Sequence, residues 1–240
     1  MEPSCLFGKR GEVRGVPVSY TRFAIYYVPP EGALADFGAV WLGWDCIAGC
    51  DAVQLDVPGL EDVTKAPRKY GFHGTLKPPF RLADGTDLTG LTAATADMAR
   101  ACAPGHSDGL VLTVLGRFLA LTPVGDMNGI ARLASTCVKA LDSFRAPPTE
   151  AELMRRRKAR LSHRQDTLLE RWGYPYVMEE FRFHLTLTGR LRVEQIDLWT
   201  DVVGAHLPEL PKPFTLDQIA LVGERPEGRF ELIERYTLLG

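Results

Sequence analysis

The sequence has little that would staple it, anchor it or charge it. Its five cysteines are an odd number, and the one close pair, Cys46-x-x-x-Cys50, is not matched by a second. That leaves no disulfide framework and no zinc ribbon, and buried free thiols are the expectation. Histidine is equally scarce, five in all, with no His-x-His or His-x-x-x-His spacing to hold a metal. No run approaches the roughly 20 apolar residues of a membrane span. The opening MEPSCLFGKRGEVRG lacks a signal peptide's apolar core, so a cytoplasmic protein without a membrane partner is expected. Neither sign of charge dominates: 28 Lys and Arg face 30 Asp and Glu, a formal net charge of −2. A globally basic nucleic-acid binder is therefore excluded, and any pull on anions must be local.

What is present is an ordinary globular composition, 45% hydrophobic over 240 residues, enough for one large domain or two intimate lobes. It also contains an echo. Phe72-His73-Gly74-Thr75-Leu76 returns as Phe183-His184-Leu185-Thr186-Leu187, 111 positions later. Read alone, either His-x-Thr is an exposed strand face. Two of only five histidines in the same five-residue context read as a duplicated functional element.

Strand side chains alternate between faces, so residues i and i+2 share one. Over residues 181–188, Phe181, Phe183, Leu185 and Leu187 form an apolar face, while Arg182, His184, Thr186 and Thr188 form a polar one. In the first copy His73, Thr75 and Lys77 fall together, and Pro78-Pro79 is expected to stop the ladder. Each copy thus offers an imidazole, a hydroxyl and a cation, Lys77 or Arg182. Two such strands facing one another would suit an anionic phosphoester. A neutral imidazole deprotonates water, a protonated one protonates the leaving oxygen, and hydroxyls and cations hold the non-bridging oxygens. The pattern requires no metal and no cofactor. The symmetry of the two copies does not tell which histidine is the base.

The two motifs, with the stretches RFAIYYVPP (22–30), WLGWD (41–45), YGFHGTLKPPFRL (70–82), WGYPYV (172–177) and FRFHLTLTGRL (181–191), resemble the two-histidine (2H) phosphoesterase superfamily. That group includes RNA 2′–5′ ligase-like proteins and cyclic phosphodiesterases. The wording is most similar to a bacterial branch of undefined activity whose genes often sit with phosphonate-utilisation genes. The resemblance implies an α+β fold, pseudo-twofold and two-lobed, with antiparallel sheets, flanking helices and a central cleft. It implies His73, Thr75, His184 and Thr186 as catalytic residues. It also brings Arg22 or Tyr26, on the strand beside the first motif, within reach of substrate alongside Lys77 and Arg182.

Along the chain, residues 1–19 read as a leader and 20–240 as a single two-lobed catalytic domain with a helical insertion near 146–180. Residues 21–28 are aromatic and β-branched, a first strand. Residues 31–44 and 87–102 carry helical patterns, and 46–68 read as irregular around Pro58-Gly59 and Ala66-Pro67. Residues 110–115 and 117–122 form β-like runs, and 129–144 has a helical apolar stripe. Residues 149–172 read as one helix opened by the capping box Thr149-x-x-Glu152. Its basic middle, residues 155–164, is a solvated face or, alternatively, a set of arginines over the cleft that bind phosphate. Residues 193–206 read as a helix, and 214–223 with 229–239 as a closing hairpin. His106, His163 and His206 are assigned no chemistry.

The reading is a metal-independent phosphoric diester hydrolase acting on a cyclic phosphodiester of a small ribose-like or nucleotide substrate, working as a monomer. An RNA-end 2′,3′-cyclic phosphodiesterase, with RNA as the less favoured partner, is the competing enzyme reading. A non-catalytic nucleotide- or RNA-binding module is the third.

Overall fold

The structure is a computed structural model that describes residues 19–240. The expected leader lies outside the described residues except for Ser19. β1 (Arg22–Tyr27) is followed by α1 (Ala33–Leu42), a small hairpin of β2 (Trp44–Asp45) and β3 (Cys50–Asp51), α2 (Leu60–Arg68) and β4 (Gly74–Phe80). α3 (Leu88–Arg100) leads into β5 (Gly105–Ser107), β6 (Gly109–Leu115) and β7 (Phe118–Val124). α4 (Asn128–Ala140), α5 (Glu150–Arg157) and α6 (His163–Trp172) precede β8 (Leu185–Thr186). α7 (Ile196–His206), β9 (Phe214–Leu216), β10 (Gln218–Glu224) and β11 (Phe230–Thr237) complete the order.

Seven strands form one sheet in the order β11-β10-β1-β4-β8-β7-β6. Every pairing in it is antiparallel, so the α+β class holds. The two motif strands, β4 and β8, lie side by side at its centre and are joined through the single pair Gly74↔Leu185. That narrow seam separates a four-stranded half from a three-stranded half.

Alternation on β1 sorts the sheet's two faces as the sequence implies. Phe23, Ile25 and Tyr27 enter the large core with Trp41 of α1, Leu91 of α3, Leu133 of α4 and Trp199 of α7. Ala24, Tyr26 and Val28 point the other way, into a smaller cluster with Trp44, Cys46, Ala220, Val222 and Phe230. Fully burying a Leu such as Leu185 or Leu187, both 0% exposed, contributes about 1.5–3 kcal/mol. The seam is thus held from its helical side. The indole of Trp41 adds a hydrogen bond to the Leu187 carbonyl at 2.9 Å.

Several boundaries differ from the sequence expectation. Residues 46–68 are not irregular: they hold β3 and α2, whose buried Leu60, Thr64 and Pro67 fall at helical spacing. The segment 149–172 is two helices, not one. Arg160 takes a left-handed φ of 53°, and a second capping box, Ser162 with Gln165, restarts the helix. The second motif contributes only Leu185–Thr186 to the ladder, shorter than the strand expected over 181–188. The first motif strand runs through Pro78-Pro79 to Phe80. The prolines are tolerated because the register with β1 shifts between Phe23↔Phe80 and Ile25↔Lys77, leaving them in a bulge where no ladder donor is needed.

Candidate active site

The helix-remote face of the β4–β8 seam carries both motifs. Extending the Gly74↔Leu185 pairing by one residue each way sets His73 across from Thr186 and Thr75 across from His184. All four alternate with Gly74 and Leu185 and so share one face. The two histidines occupy one diagonal of this quartet and the two threonines the other. Diagonal neighbours on an antiparallel pair stand about 7–8 Å apart at their Cα atoms, room for one phosphoryl group between the imidazoles.

Each imidazole is oriented in the same way. The His73 Nδ1–H donates to the Gly71 carbonyl at 3.0 Å, and the His184 Nδ1–H donates to the Arg182 carbonyl at 2.8 Å. A carbonyl only accepts, so Nδ1 carries a proton in each ring. Gly71 makes the first contact available by taking φ 71°, and a Cβ there would stand 2.5 Å from the Cβ of Cys46. Among the described residues only the first copy closes a further bond, His73 Nε2 with Thr75 Oγ1 at 3.0 Å. With Nδ1 as donor, Nε2 must accept, and the Thr75 hydroxyl donates.

The environments of the two histidines differ. The Tyr26 ring stacks on His73 with centroids 3.7 Å apart, and Tyr70 lies 6.0 Å from the same imidazole. Removal from water pushes the His73 pKa down to about 4, against the Gly71 hydrogen bond, and the charge of His184 adds to the depression. His73 is therefore neutral at pH 7. His184 touches the edge of the other half-sheet instead, 5.7 Å from the Phe118 ring.

The four expected substrate contacts fare differently. Arg182 is exposed and, with Thr75, lines a cavity of about 300 Å³ whose walls include Tyr174, Tyr176, Gln165 and Glu180. Tyr26 is a correction: at 1% exposure it lies beneath His73 and orients it, with no surface left for a ligand. Arg22 is another. Its Nε and Nη2 donate to the two Glu224 carboxylate oxygens, each at 2.5 Å, so its fork is already filled.

Lys77 is the third correction, and its cause is the bulge. Tyr26 pairs with Thr75 but Ile25 pairs with Lys77, so one residue of β1 spans two of β4. The alternation slips there, and Lys77 joins Leu76 on the helical side. Its Nζ donates to the Val138 carbonyl at 3.0 Å and lies 3.9 Å from Asp142. Burial brings its pKa down to about 8, with Asp142 opposing.

Residues outside the sequence-based site also border it. Tyr174 and Tyr176 sit within the WGYPYV stretch, where an aromatic turn after a helix is the available signal. Arg156 lies 4.6 Å from the Tyr174 ring centroid. A larger cavity, about 500 Å³, opens on the other side of α6 with Arg132, Lys139 and Arg171 in its wall, but neither motif lines it. Among the described residues no group of three or more His, Cys, Asp or Glu is arranged for a metal. Among the same residues, no helix is long and apolar enough to cross a membrane.

Residues 75–231 match the family described as "Protein of unknown function (DUF1045)". Two curated relatives carry the name ribose 1,5-bisphosphate phosphokinase PhnN. One, from Janthinobacterium sp. (strain Marseille), is 41% identical over 196 residues, covering 78% of this chain and 42% of that protein. The other, from Laribacter hongkongensis (strain HLHK9), is 35% identical over 190 residues, covering 77% of this chain and 44% of that protein. The chain thus spans less than half the length of the curated relatives it matches. Among solved structures, TT0787 of Thermus thermophilus is 17% identical with a TM-score of 0.44, covering 91% of this chain and 98% of that one. The E. coli LigT complex with 3′-AMP is 12% identical with a TM-score of 0.44, covering 92% and 100%.

Proposed function

The chain belongs to the family described as protein of unknown function (DUF1045), and from that premise we propose that it is a metal-independent phosphoesterase of the two-histidine type. It opens a cyclic phosphodiester on a small ribose-like substrate. The observation that carries this reading is the pairing of the two motifs through Gly74↔Leu185, which brings two imidazoles, each fixed through Nδ1 by a backbone carbonyl, and two hydroxyls to one face of the β4–β8 seam.

In the proposed reaction the Thr75 hydroxyl turns from His73 Nε2 to a phosphate oxygen, and His73, neutral and backed by the Gly71 carbonyl, takes a proton from water through the freed Nε2. The water oxygen bonds to phosphorus, and the ester P–O bond breaks. His184, protonated, returns a proton from Nε2 to the leaving oxygen. Exchange with solvent resets both rings. Thr75, Thr186 and Arg182 hold the non-bridging oxygens as charge develops. Because acid, base and oxyanion ligands are all side chains, the chemistry closes without a metal.

A ribose-like substrate is supported by three things. The cavity beside Thr75, about 300 Å³, lies at the small end of the range for ligand sites. The curated relatives are named for a ribose bisphosphate. The phosphonate-utilisation neighbourhood of the branch this sequence resembles points the same way. Residues 20–240 act as one two-lobed catalytic unit, with the helical stretch near 146–180 inserted between the halves, and the unit works as a monomer.

The test is a turnover screen of ribose cyclic phosphates, nucleoside 2′,3′-cyclic phosphates and RNA bearing a 2′,3′-cyclic end, run with wild type and His184→Ala. Turnover of the ribose compounds that disappears in the folded variant is expected. Turnover confined to the RNA ends would transfer the site to the competing enzyme reading, and no turnover at all would remove the catalytic one.

A further inference from the structure

In the basic segment 155–164, Arg157 and Arg164 are already neutralised, whereas Arg155, Arg156 and Arg160 have no carboxylate partner among the described residues. Arg157 is held by Asp166 at 2.7 Å and by Glu170 at 2.7 Å, and Arg164 is paired with Glu179. Arg156 is the half-buried member of the run, where its neighbours are exposed. No carboxylate pairs with it among the described residues. Its guanidinium packs on the Tyr174 ring, 4.6 Å from the centroid.

That contact faces the site. Tyr174 is a wall of the 300 Å³ cavity that reaches Thr75 and Arg182. Its phenol lies in the neighbourhood of Tyr26 and Tyr70, the two rings around His73. Burial raises the Tyr174 pKa, so at neutral pH its hydroxyl keeps its proton and can donate. The cavity also contains one carboxylate, Glu180, which accepts from the Gln165 amide at 2.9 Å. For an anion in the cavity, Arg182 in its wall and Arg156 packed on the Tyr174 wall outweigh the single Glu180 carboxylate. A cation stacked on an aromatic ring and held without a counter-charge is pre-organised for a planar, bidentate anion contact.

We propose that Arg156, with the Tyr174 hydroxyl, forms a second anion subsite that recognises a phosphate monoester on the same substrate whose cyclic diester lies over the histidine quartet. The substrate class is then a cyclic phosphodiester of a sugar that carries an additional phosphate. This rests on the phosphoesterase reading for the reaction, but the subsite can be probed without turnover.

Two measurements test it. In the first, ribose 5-phosphate and ribose are titrated into wild type, Arg156→Gln and Arg157→Gln by calorimetry. The phosphate should add about tenfold or more in affinity for wild type and for Arg157→Gln, and little for Arg156→Gln. Equal affinities in all three proteins, or no gain from the phosphate in wild type, would overturn the subsite whatever the enzyme's activity. In the second, kcat/KM is compared for ribose cyclic phosphates with and without a phosphate on the primary hydroxyl. Wild type should prefer the phosphorylated compound by about tenfold or more. Arg156→Gln should lose that preference through KM, and Arg156→Lys should recover part of it. A preference that survives in Arg156→Gln sinks the proposal. Failure to turn over either compound, with the calorimetric preference intact, would instead count against the hydrolytic reading and leave the subsite standing.

Discussion

The ring of Phe183 occupies the space in which a side chain on Gly74 would begin: a Cβ there would stand 2.5 Å from Phe183 Cζ. Phe183 precedes one motif histidine and Gly74 follows the other, so the two motifs are locked together through this contact. Gly74→Ala should destabilise the protein by about 1–3 kcal/mol, the usual range for overpacking a tight core site. It should also lower kcat disproportionately, because displacing Phe183 moves His184. Urea midpoints and kcat measured on the same preparation check this. A variant with wild-type values for both would show that the seam has slack there.

Removing either imidazole should cost roughly 10²–10⁴-fold in kcat, the range for one positioned proton-transfer group. The double variant should lose much less than the product of the single losses, because both rings act in one event. With His73 as base, kcat/KM for wild type should fall as pH drops through about 4, where that ring becomes protonated and can no longer accept. His73→Ala should lack that acid limb. A His184→Ala enzyme that stays folded with unchanged kcat would end the paired mechanism.

The same ring makes stability depend on pH. Above about pH 6.5 His73 is neutral in both folded and unfolded chains and adds no dependence. Between pH 6.5 and 4 the unfolded chain takes up a proton that the folded site refuses, so stability falls as pH falls through that window, and the loss is complete below it. His73→Gln should flatten this part of the curve. Urea midpoints at pH 7 and pH 4.5 give the measurement, and parallel curves for the two proteins would contradict the lowered pKa of His73.

Lys77 separates structure from chemistry. Lys77→Met leaves the quartet untouched and should keep kcat within a few-fold, although the Val138 carbonyl and Asp142 lose their partner. Lys77→Glu sets a carboxylate against both and should destabilise by about 3–5 kcal/mol, as removal of one partner from a buried pair does. A large loss of kcat/KM in well-folded Lys77→Met would return this lysine to the substrate.

The quartet is legible in the sequence because a two-residue period survives wherever the ladder is regular. His73 with Thr75 and His184 with Thr186 flank the Gly74↔Leu185 pair, each histidine one residue outside its strand. Lys77 escapes that period because the bulge at Leu76 shifts the count by one, and a bulge follows from how two strands pair, not from either strand alone. Arg22 is hidden for a related reason. Glu224 is its register partner across β1 and β10, 202 residues away in sequence, and no local pattern announces that pairing. α2 is masked by its flanking Pro58-Gly59 and by Pro67 in its last turn, although Leu60, Thr64 and Pro67 keep a helical spacing. The division between α5 and α6, by contrast, does have a local signal. Ser162-x-x-Gln165 repeats the capping-box pattern found at Thr149, and it marks where the two helices separate.

The half-turn that relates His73 and Thr75 to His184 and Thr186 has a consequence for regiochemistry. A cyclic phosphodiester has two ester bonds, and a site unchanged by a half-turn would open either with equal ease, giving a mixture of isomeric monoesters. In the proposed reaction any choice between them must come from what breaks that symmetry. Four features break it: Tyr26 stacks under His73 alone, the Thr75 hydroxyl bonds to the Nε2 of that ring, Tyr174 walls the space next to Thr75, and Phe118 stands beside His184 alone. In that proposal the motifs supply the means of cleavage, and the unequal aromatic surroundings of the two histidines would decide which oxygen leaves.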